Sequence, residues 1–251
     1  MEIERGMLDR GDGVGLAWER VAGRGPMVVF LPGLRSDMGG TKALAIAEWC
    51  AGWGVGCLRF DYSGHGASGG RFQEGTIGQW AADARLAVER LTAGEVVLVG
   101  SSMGGWIGVL VAREVRRVAG FVGVAAAPDF TERLMWASMM PGERALLMRA
   151  GEIAVPSEYG ERLVITRALI EDGRRHLVLG GAIGVGCPVR LLHGQRDGDV
   201  PWELALELAA AVASRDVRVV LVKDGDHRLS RAADLALLRG VLGEFLGEGG
   251  A

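Results

Sequence analysis

The sequence predicts an α/β fold in which helices cover a mainly parallel β-sheet. Short apolar segments typical of strands alternate with helical segments along most of the 251 residues. Some of these strand segments, such as Val96–Val99, are apolar at every position, which indicates burial on both faces of a sheet. The 41 glycines follow no collagen-like period and lie among apolar segments, which excludes a fibrous or a disordered chain.

Each predicted element rests on a local pattern. Alternating or continuous apolar runs bounded by turns predict strands at 14–21, 26–31, 54–60, 95–100, 118–126, 188–193 and 217–222. Apolar residues that recur on one side of a helix predict helices at 41–53, 77–91, 103–113, 202–214 and 231–246. The alternation of the two kinds of segment predicts a single domain over residues 1–251.

One stretch interrupts this alternation. Between Pro128 and Gly180 the pattern is mixed, and turn signals occur at Pro141-Gly142 and Pro156-Ser157. The stretch is too long for a plain connection in a compact domain. We therefore expect an insertion over about 129–180 that forms a small lid.

Composition and charge exclude several classes of protein. The net charge is −3, and no cluster of basic residues indicates a nucleic-acid partner. The three cysteines lack metal-ligand spacing, and we expect neither a metal nor a cofactor. Glycines and serines interrupt the uncharged run 96–112, so no membrane span is expected. Residues 1–6 lack the pattern of a signal peptide, which predicts a cytoplasmic location.

A candidate nucleophile lies in Gly100-Ser101-Ser102-Met103-Gly104, which fits the pattern G-x-S-x-G around Ser102. Small residues two positions before and after the serine allow a sharp, strained turn between a strand and a helix. The helix that follows directs its N-terminus at the reacting carbonyl, where backbone N–H groups stabilise an oxyanion. The motif directly follows an apolar strand and begins an apolar helix, which favours a catalytic serine over a structural turn.

A serine nucleophile needs a general base, and the chain contains four histidines. His65 lies in a glycine-rich turn, His176 lies in the insertion, and His193 ends a strand, where packing explains it. His227 follows the last predicted strand, as the chain order Ser, Asp, His requires. We therefore predict His227 as the base.

The acid that orients this base is expected in a loop after a strand. Asp197 follows the strand 188–193 and is favoured. Asp199 in the same loop, Asp129 after an earlier strand, and Asp226 beside the base remain alternatives.

Two further groups are candidates for substrate contacts. The backbone N–H groups of Leu34, after Leu31-Pro32-Gly33, and of Met103 are predicted to form the oxyanion hole, although the first turn is equally explained as a strand end. In the insertion, Leu134, Met135, Trp136, Met139 and Met140 form an apolar cluster that is suited either to an acyl chain or to packing on the body.

These motifs together resemble the α/β-hydrolase superfamily, and most closely its branch of mitochondrial palmitoyl-protein thioesterases, which also cleave acyl-glucuronide esters. The resemblance covers nearly the whole chain. It implies a mainly parallel twisted sheet with a small lid inserted after the sixth strand, and a catalytic triad of Ser102, Asp197 and His227. The matching motifs are Leu31–Gly33, Gly40–Ile46, Arg59–Gly64, Gly100–Trp106, Arg190–Gly194, Val200–Trp202 and Asp226–Arg228.

The expected function is therefore that of a serine hydrolase that cleaves small-molecule acyl esters or thioesters through an acyl-enzyme intermediate, with acyl-protein thioesters and acyl glucuronides as further candidate substrates. Two alternatives remain open from the sequence. A carbon–carbon bond hydrolase or a perhydrolase uses the same triad, and a hydrolase-like binding module keeps the fold without turnover. An epoxide hydrolase or dehalogenase is disfavoured, because those enzymes need a carboxylate at the position of Ser102.

Overall fold

An eight-stranded sheet organises the chain in the computed structural model, which describes residues 2–156, 160 and 162–246. Its strands lie in the order β1-β2-β4-β3-β5-β6-β9-β10. The first two pair antiparallel with each other, β2 pairs antiparallel with β4, and the remaining neighbours are parallel. The strands are β1 Ile3–Asp9, β2 Gly15–Val21, β3 Arg24–Leu31, β4 Val55–Phe60, β5 Val96–Ser101, β6 Val118–Val124, β9 Val189–Gly194 and β10 Val217–Val222.

Helices cover both faces of this sheet. Side chains of α2, α3 and α6 pack into the apolar core on one face, and those of α1 and α7 pack into the core on the other. Every residue of β4, β5 and β9 is buried, which agrees with strands covered on both faces. The helices are α1 Thr41–Trp53, α2 Ile77–Leu91, α3 Met103–Glu114, α6 Glu203–Ala211 and α7 Ala232–Leu246.

The predicted α/β fold is confirmed, with one strand that the sequence did not indicate. The edge strand β1 reads IERGMLD, and its residues are exposed or half-buried. Because an exposed edge strand needs no apolar face, it leaves no hydrophobic pattern in the sequence. Its presence makes β6 the sixth strand, so the insertion begins after strand six.

The insertion between β6 and β9 has secondary structure of its own. A turn of π-helix, Thr131–Trp136, is followed by α4 Pro141–Ala150, the antiparallel strands β7 Glu152–Val155 and β8 Leu163–Thr166, and α5 Arg167–Arg175. A separate apolar cluster lies inside it, formed by the side chains of Met139, Leu147, Ile153, Ile165 and Ile170.

Asp129 closes the base of the insertion. Its carboxylate accepts hydrogen bonds from the backbone N–H of Val178 at 2.8 Å and of Leu179 at 2.9 Å. The same side chain therefore holds the beginning and the end of the segment together. The insertion also contacts the body through α5, where Asp172 accepts a 2.7 Å hydrogen bond from the N–H of Gly78 in α2.

Candidate active site

Ser102 occupies a strained turn between β5 and α3. Its backbone has φ 53° and ψ −118°, a region that non-glycine residues rarely adopt. The turn also needs glycines on either side. A Cβ at Gly104 would lie 2.0 Å from the carbonyl oxygen of Leu31, and one at Gly100 would lie 2.2 Å from that of Gly104. This crowding explains the two glycines of the motif.

The loops after four parallel strands meet at one edge of the sheet. Ser102 follows β5, Leu34 follows β3, Asp197 follows β9 and His227 follows β10. The loops after β9 and β10 contact each other directly, since the N–H of Arg196 donates to the carbonyl oxygen of Gly225 at 2.9 Å. Residues far apart in the sequence are therefore brought to one place by the topology.

Ser102, His227 and Asp197 form a continuous line of hydrogen-bonding groups. The Nε2 atom of His227 lies 3.1 Å from Ser102 Oγ, and its Nδ1 atom lies 2.8 Å from Asp197 Oδ2. The Asp197 side chain has no solvent exposure, whereas that of His227 is 18% exposed. A hydroxyl, an imidazole and a carboxylate in this arrangement are able to act as a nucleophile, a base and an orienting acid.

The buried carboxylate of Asp197 is stabilised in its charged form. Burial alone raises the pKa of a carboxyl group, but hydrogen bonds from His193 and His227 and the charge of His227 outweigh it, so the pKa of Asp197 lies below its ordinary value. Its other oxygen, Oδ1, accepts the backbone N–H of Asp199 at 2.9 Å and of Val200 at 2.8 Å. Asp197 is thus an ionised acceptor with a fixed orientation.

The two residues predicted to supply the oxyanion amides belong to segments close to Ser102. Met103 is the first residue of α3 and is buried, while Leu34 lies in the loop after β3 and lines the same cavity. That loop is close to the nucleophile, since a Cβ at Gly33 would lie 3.4 Å from Ser102 Cβ.

Ser102 and His227 open into a cavity of about 550 Å³. Four apolar side chains line it from the start of the insertion and from β8: Phe130, Leu134, Met135 and Leu163. Charged residues line it from other loops and from the first turn of α1, namely Arg35, Arg228, Asp199 and Lys42. Burial lowers the pKa of Lys42 to about 8, against the opposing effect of the Asp226 carboxylate.

The apolar cluster expected in the insertion divides between two environments. Leu134 and Met135 line the cavity. Trp136 packs beside the insertion core with the guanidinium groups of Arg144 and Arg174 over its ring, and Met139 is buried in that core. Met140 precedes α4 and is 67% exposed. Sequence spacing groups these five residues, but only two of them are among the residues that line the cavity.

The alternative candidates have other partners. His65 packs among Tyr62, Phe72 and Trp80, and His176 lies 3.7 Å from an Asp172 oxygen. Asp129 holds the base of the insertion, and Asp226 accepts a hydrogen bond from the N–H of Leu229.

Asp199 lies in the cavity wall, close to Asp197 and His227. Atoms of Asp197, Asp199 and His227 that are able to bind a metal lie within 4.8 Å of one another. Asp197 Oδ2 and His227 Nδ1 already bind each other. The contacts of these two residues therefore fit the hydrogen-bonded line to Ser102 better than a metal centre.

His193 contacts the site in a way that the sequence did not reveal. Its Nε2 atom lies 3.0 Å from the same Asp197 Oδ2 that binds His227. The sequence places His193 four residues before Asp197, which is compatible with a contact between the two side chains. A histidine at a buried strand end is equally expected from packing alone.

None of the described helices combines the length and the hydropathy that crossing a membrane requires.

Known proteins of similar sequence are named as hydrolases. The family model described as "Serine aminopeptidase, S33" matches residues 25–163. The human mitochondrial palmitoyl-protein thioesterase ABHD10 is 40% identical over 92% of this chain and 76% of its own length.

Two solved structures are similar over almost their whole length. A protein of Agrobacterium vitis S4 described as a hydrolase is 41% identical, with a TM-score of 0.93 over 98% of this chain and 99% of that one. The α/β-hydrolase domain-containing protein 10 from mouse is 36% identical, with a TM-score of 0.89 over 96% and 97%.

These relatives correct one prediction and confirm another. The expected cytoplasmic location is contradicted, because the mammalian relatives are named as mitochondrial proteins, and the absence of a signal-peptide pattern was not a sufficient basis for it. The resemblance inferred from the motifs is confirmed. The chain belongs to the α/β-hydrolase superfamily, in the family of the palmitoyl-protein thioesterase ABHD10.

Proposed function

We propose that this protein is a serine hydrolase that cleaves carboxylic esters or thioesters through Ser102, His227 and Asp197. An esterase or thioesterase activity follows from its family, whose curated members are named thioesterases. The observation that carries the proposal is the unbroken path from Ser102 Oγ through His227 to Asp197, with contacts of 3.1 and 2.8 Å, at the wall of a cavity.

In the first half of the reaction, Ser102 Oγ attacks the acyl carbonyl carbon and its proton passes to His227 Nε2. Asp197 remains ionised and stabilises the imidazolium through Nδ1. The N–H groups of Leu34 and Met103 donate to the oxyanion. As the tetrahedral intermediate collapses, His227 gives the proton to the departing oxygen or sulfur, and an acyl-Ser102 ester remains.

In the second half, water replaces the leaving group. His227 takes a proton from the water as its oxygen attacks the acyl carbon, and the proton returns to Ser102 Oγ when the acid leaves. Each step uses the same base and the same oxyanion donors, so no additional catalytic group is needed.

The apolar wall is suited to an acyl chain. Phe130, Leu134, Met135 and Leu163 offer only hydrocarbon and thioether surface, and methionine adapts to chains of different shape. The insertion therefore acts as a lid that contributes the acyl pocket. Of the insertion residues singled out from the sequence, we keep Leu134 and Met135 as substrate contacts.

The charged wall favours a leaving group that carries a negative charge. Three of its residues are cationic (Arg35, Lys42 and Arg228) and one, Asp199, is anionic. This balance suits acyl glucuronides, whose sugar bears a carboxylate, and opposes the free amine that an aminopeptidase must bind.

Replacing the nucleophile tests the proposal most simply. Ser102→Ala is expected to lower kcat for a p-nitrophenyl ester by at least about 10³-fold, because the acyl-enzyme no longer forms. The measurement is initial-rate kinetics together with labelling by a fluorophosphonate probe. Ser214→Ala, a serine in the loop before β10, is the control and keeps full activity. Unchanged turnover of Ser102→Ala would contradict the assignment, and a wild type that neither reacts with the probe nor turns over any ester or thioester would favour a binding module.

A bulky substitution tests the acyl wall. Met135→Trp is expected to reduce kcat/KM for a p-nitrophenyl dodecanoate relative to the butyrate by about tenfold or more, since the indole fills space that a long chain needs. Met140→Trp is the control, because Met140 is exposed outside the cavity lining. A chain-length series that responds equally to both substitutions would remove the insertion from the acyl site.

The two lysines of the chain make a matched pair for the charged wall. Lys42→Gln is expected to raise KM for an acyl glucuronide about fivefold, the effect of losing one partly exposed ion pair, and to leave KM for a neutral ester of the same acid unchanged. Lys223→Gln should change neither.

The pH dependence of KM for the acyl glucuronide tests the role of the Lys42 charge without a substitution. Since the pKa of Lys42 is about 8, its charge is present below that pH and is lost above it. In the wild type, KM for the acyl glucuronide should therefore rise as the pH increases through 8, while KM for the neutral ester does not. Parallel curves for the two substrates would argue against Lys42 as a contact of the carboxylate.

A further inference from the structure

We propose that His193 is a positioning residue for the triad: by donating its Nε2 proton to Asp197, it fixes the acid and limits the basicity of His227. The proposal rests on the proposed function above, since it assigns a role in that same site. It concerns a buried histidine that the reaction steps do not use.

The contacts determine which nitrogen of His193 carries the proton. Its Nε2 atom lies 3.0 Å from Asp197 Oδ2 and 3.1 Å from the carbonyl oxygen of Val200. Both partners are acceptors, so Nε2 must be the donor. Its Nδ1 atom is buried and has no hydrogen-bond partner among the described residues. A proton there would be buried without an acceptor, which favours the neutral form with hydrogen on Nε2 alone.

Asp197 is therefore held from two sides. Oδ1 accepts two backbone N–H groups of its own loop, and Oδ2 accepts Nε2–H of His193 and Nδ1–H of His227. His193 comes from β9, a strand that is entirely buried, and its own side chain has no solvent exposure. The rigid sheet, rather than the loop alone, thus sets the direction of the oxygen that His227 binds.

The shared oxygen also has an electrostatic consequence. A carboxylate oxygen that accepts a second strong donor is a weaker acceptor for the first, because both draw on the same negative charge. Removing the His193 donor would strengthen the pull of Asp197 on the imidazolium of His227. The base would then stay protonated to higher pH, and the acidic limb of the activity profile would move upward.

The other charged groups near this pair come from the cavity wall and from the loop of His227. The flanking strand β10 places Leu221 in register with His193, and β6, which ends at Val124 beside Leu192, carries no charged residue. Around His227 the charged groups are Asp199, within the 4.8 Å cluster, Asp226, its neighbour in the chain, and Arg35, Lys42 and Arg228 of the cavity wall. All of these are unchanged by substitution of His193, so the shift is attributable to Asp197.

Two substitutions separate a donor from a space-filling side chain. His193→Leu fills the same space with an apolar side chain and removes the donor. His193→Gln supplies an amide N–H near the position of Nε2. With a neutral p-nitrophenyl ester, His193→Leu is expected to lower kcat about tenfold, to change KM less than twofold, and to move the acidic limb of kcat/KM upward by about half a pH unit. His193→Gln should recover most of kcat and the wild-type position of the limb.

Other outcomes overturn the inference. Equal loss of thermal stability in both variants with an unmoved acidic limb means that His193 only fills space. A limb that moves downward contradicts the shared-oxygen argument. If His193→Leu fails to fold, the ¹⁵N spectra of histidine in the wild-type protein decide instead. At the pH of the activity assay they should show hydrogen on Nε2 of His193, and a proton on Nδ1 alone is contrary to the proposal.

These results are distinguishable from failure of the proposed function. If Ser102→Ala retains activity, the triad itself is wrong. If Ser102→Ala is inactive and both His193 variants match the wild type in kcat and pH profile, the triad stands and only the role of His193 falls.

Discussion

The backbone at Ser102 is the constraint on which the site depends. A residue with φ 53° and ψ −118° joins β5 to α3 without a loop between them, and the turn tolerates no side chain at Gly100 or Gly104. The strain is supported by what surrounds it, since the Ser102 N–H donates to the Val124 carbonyl oxygen of β6 at 2.9 Å. The outcome is a hydroxyl at the cavity wall and an N–H of α3 beside it.

The parallel sheet supplies the remaining groups. Because the carboxyl ends of parallel strands lie at one edge, the loops after β3, β9 and β10 approach the turn after β5. Contacts between these loops then determine how far apart their side chains lie, and many of the contacts are made by the Asp197 carboxylate. Its Oδ1 atom binds the backbone of its own loop, and its Oδ2 atom binds His193 of β9 and His227 of the loop after β10.

Much of this arrangement is predictable from the sequence because it depends on local patterns. Apolar runs predict the buried strands, and the glycines around Ser102 predict the sharp turn. The topology then explains why Ser102, Asp197 and His227 meet, although their catalytic role remains a prediction.

The features that the sequence does not predict depend on tertiary contacts. The exposed β1 has no apolar pattern, and spacing does not distinguish Met135, which lines the cavity, from Met139, which packs inside the insertion. His193 looked like a packing residue, because only the structure shows its contact with Asp197.

The most direct measurement of a covalent mechanism is the mass of the enzyme during turnover. The protein is mixed with an excess of an acyl thioester, quenched in acid within the first turnovers, digested, and analysed by mass spectrometry. We expect the mass of the acyl group on the peptide that contains Ser102, appearing with the burst of free thiol and disappearing when the substrate is exhausted. An acyl group on another residue, or a burst of thiol with no adduct on Ser102, would contradict the mechanism.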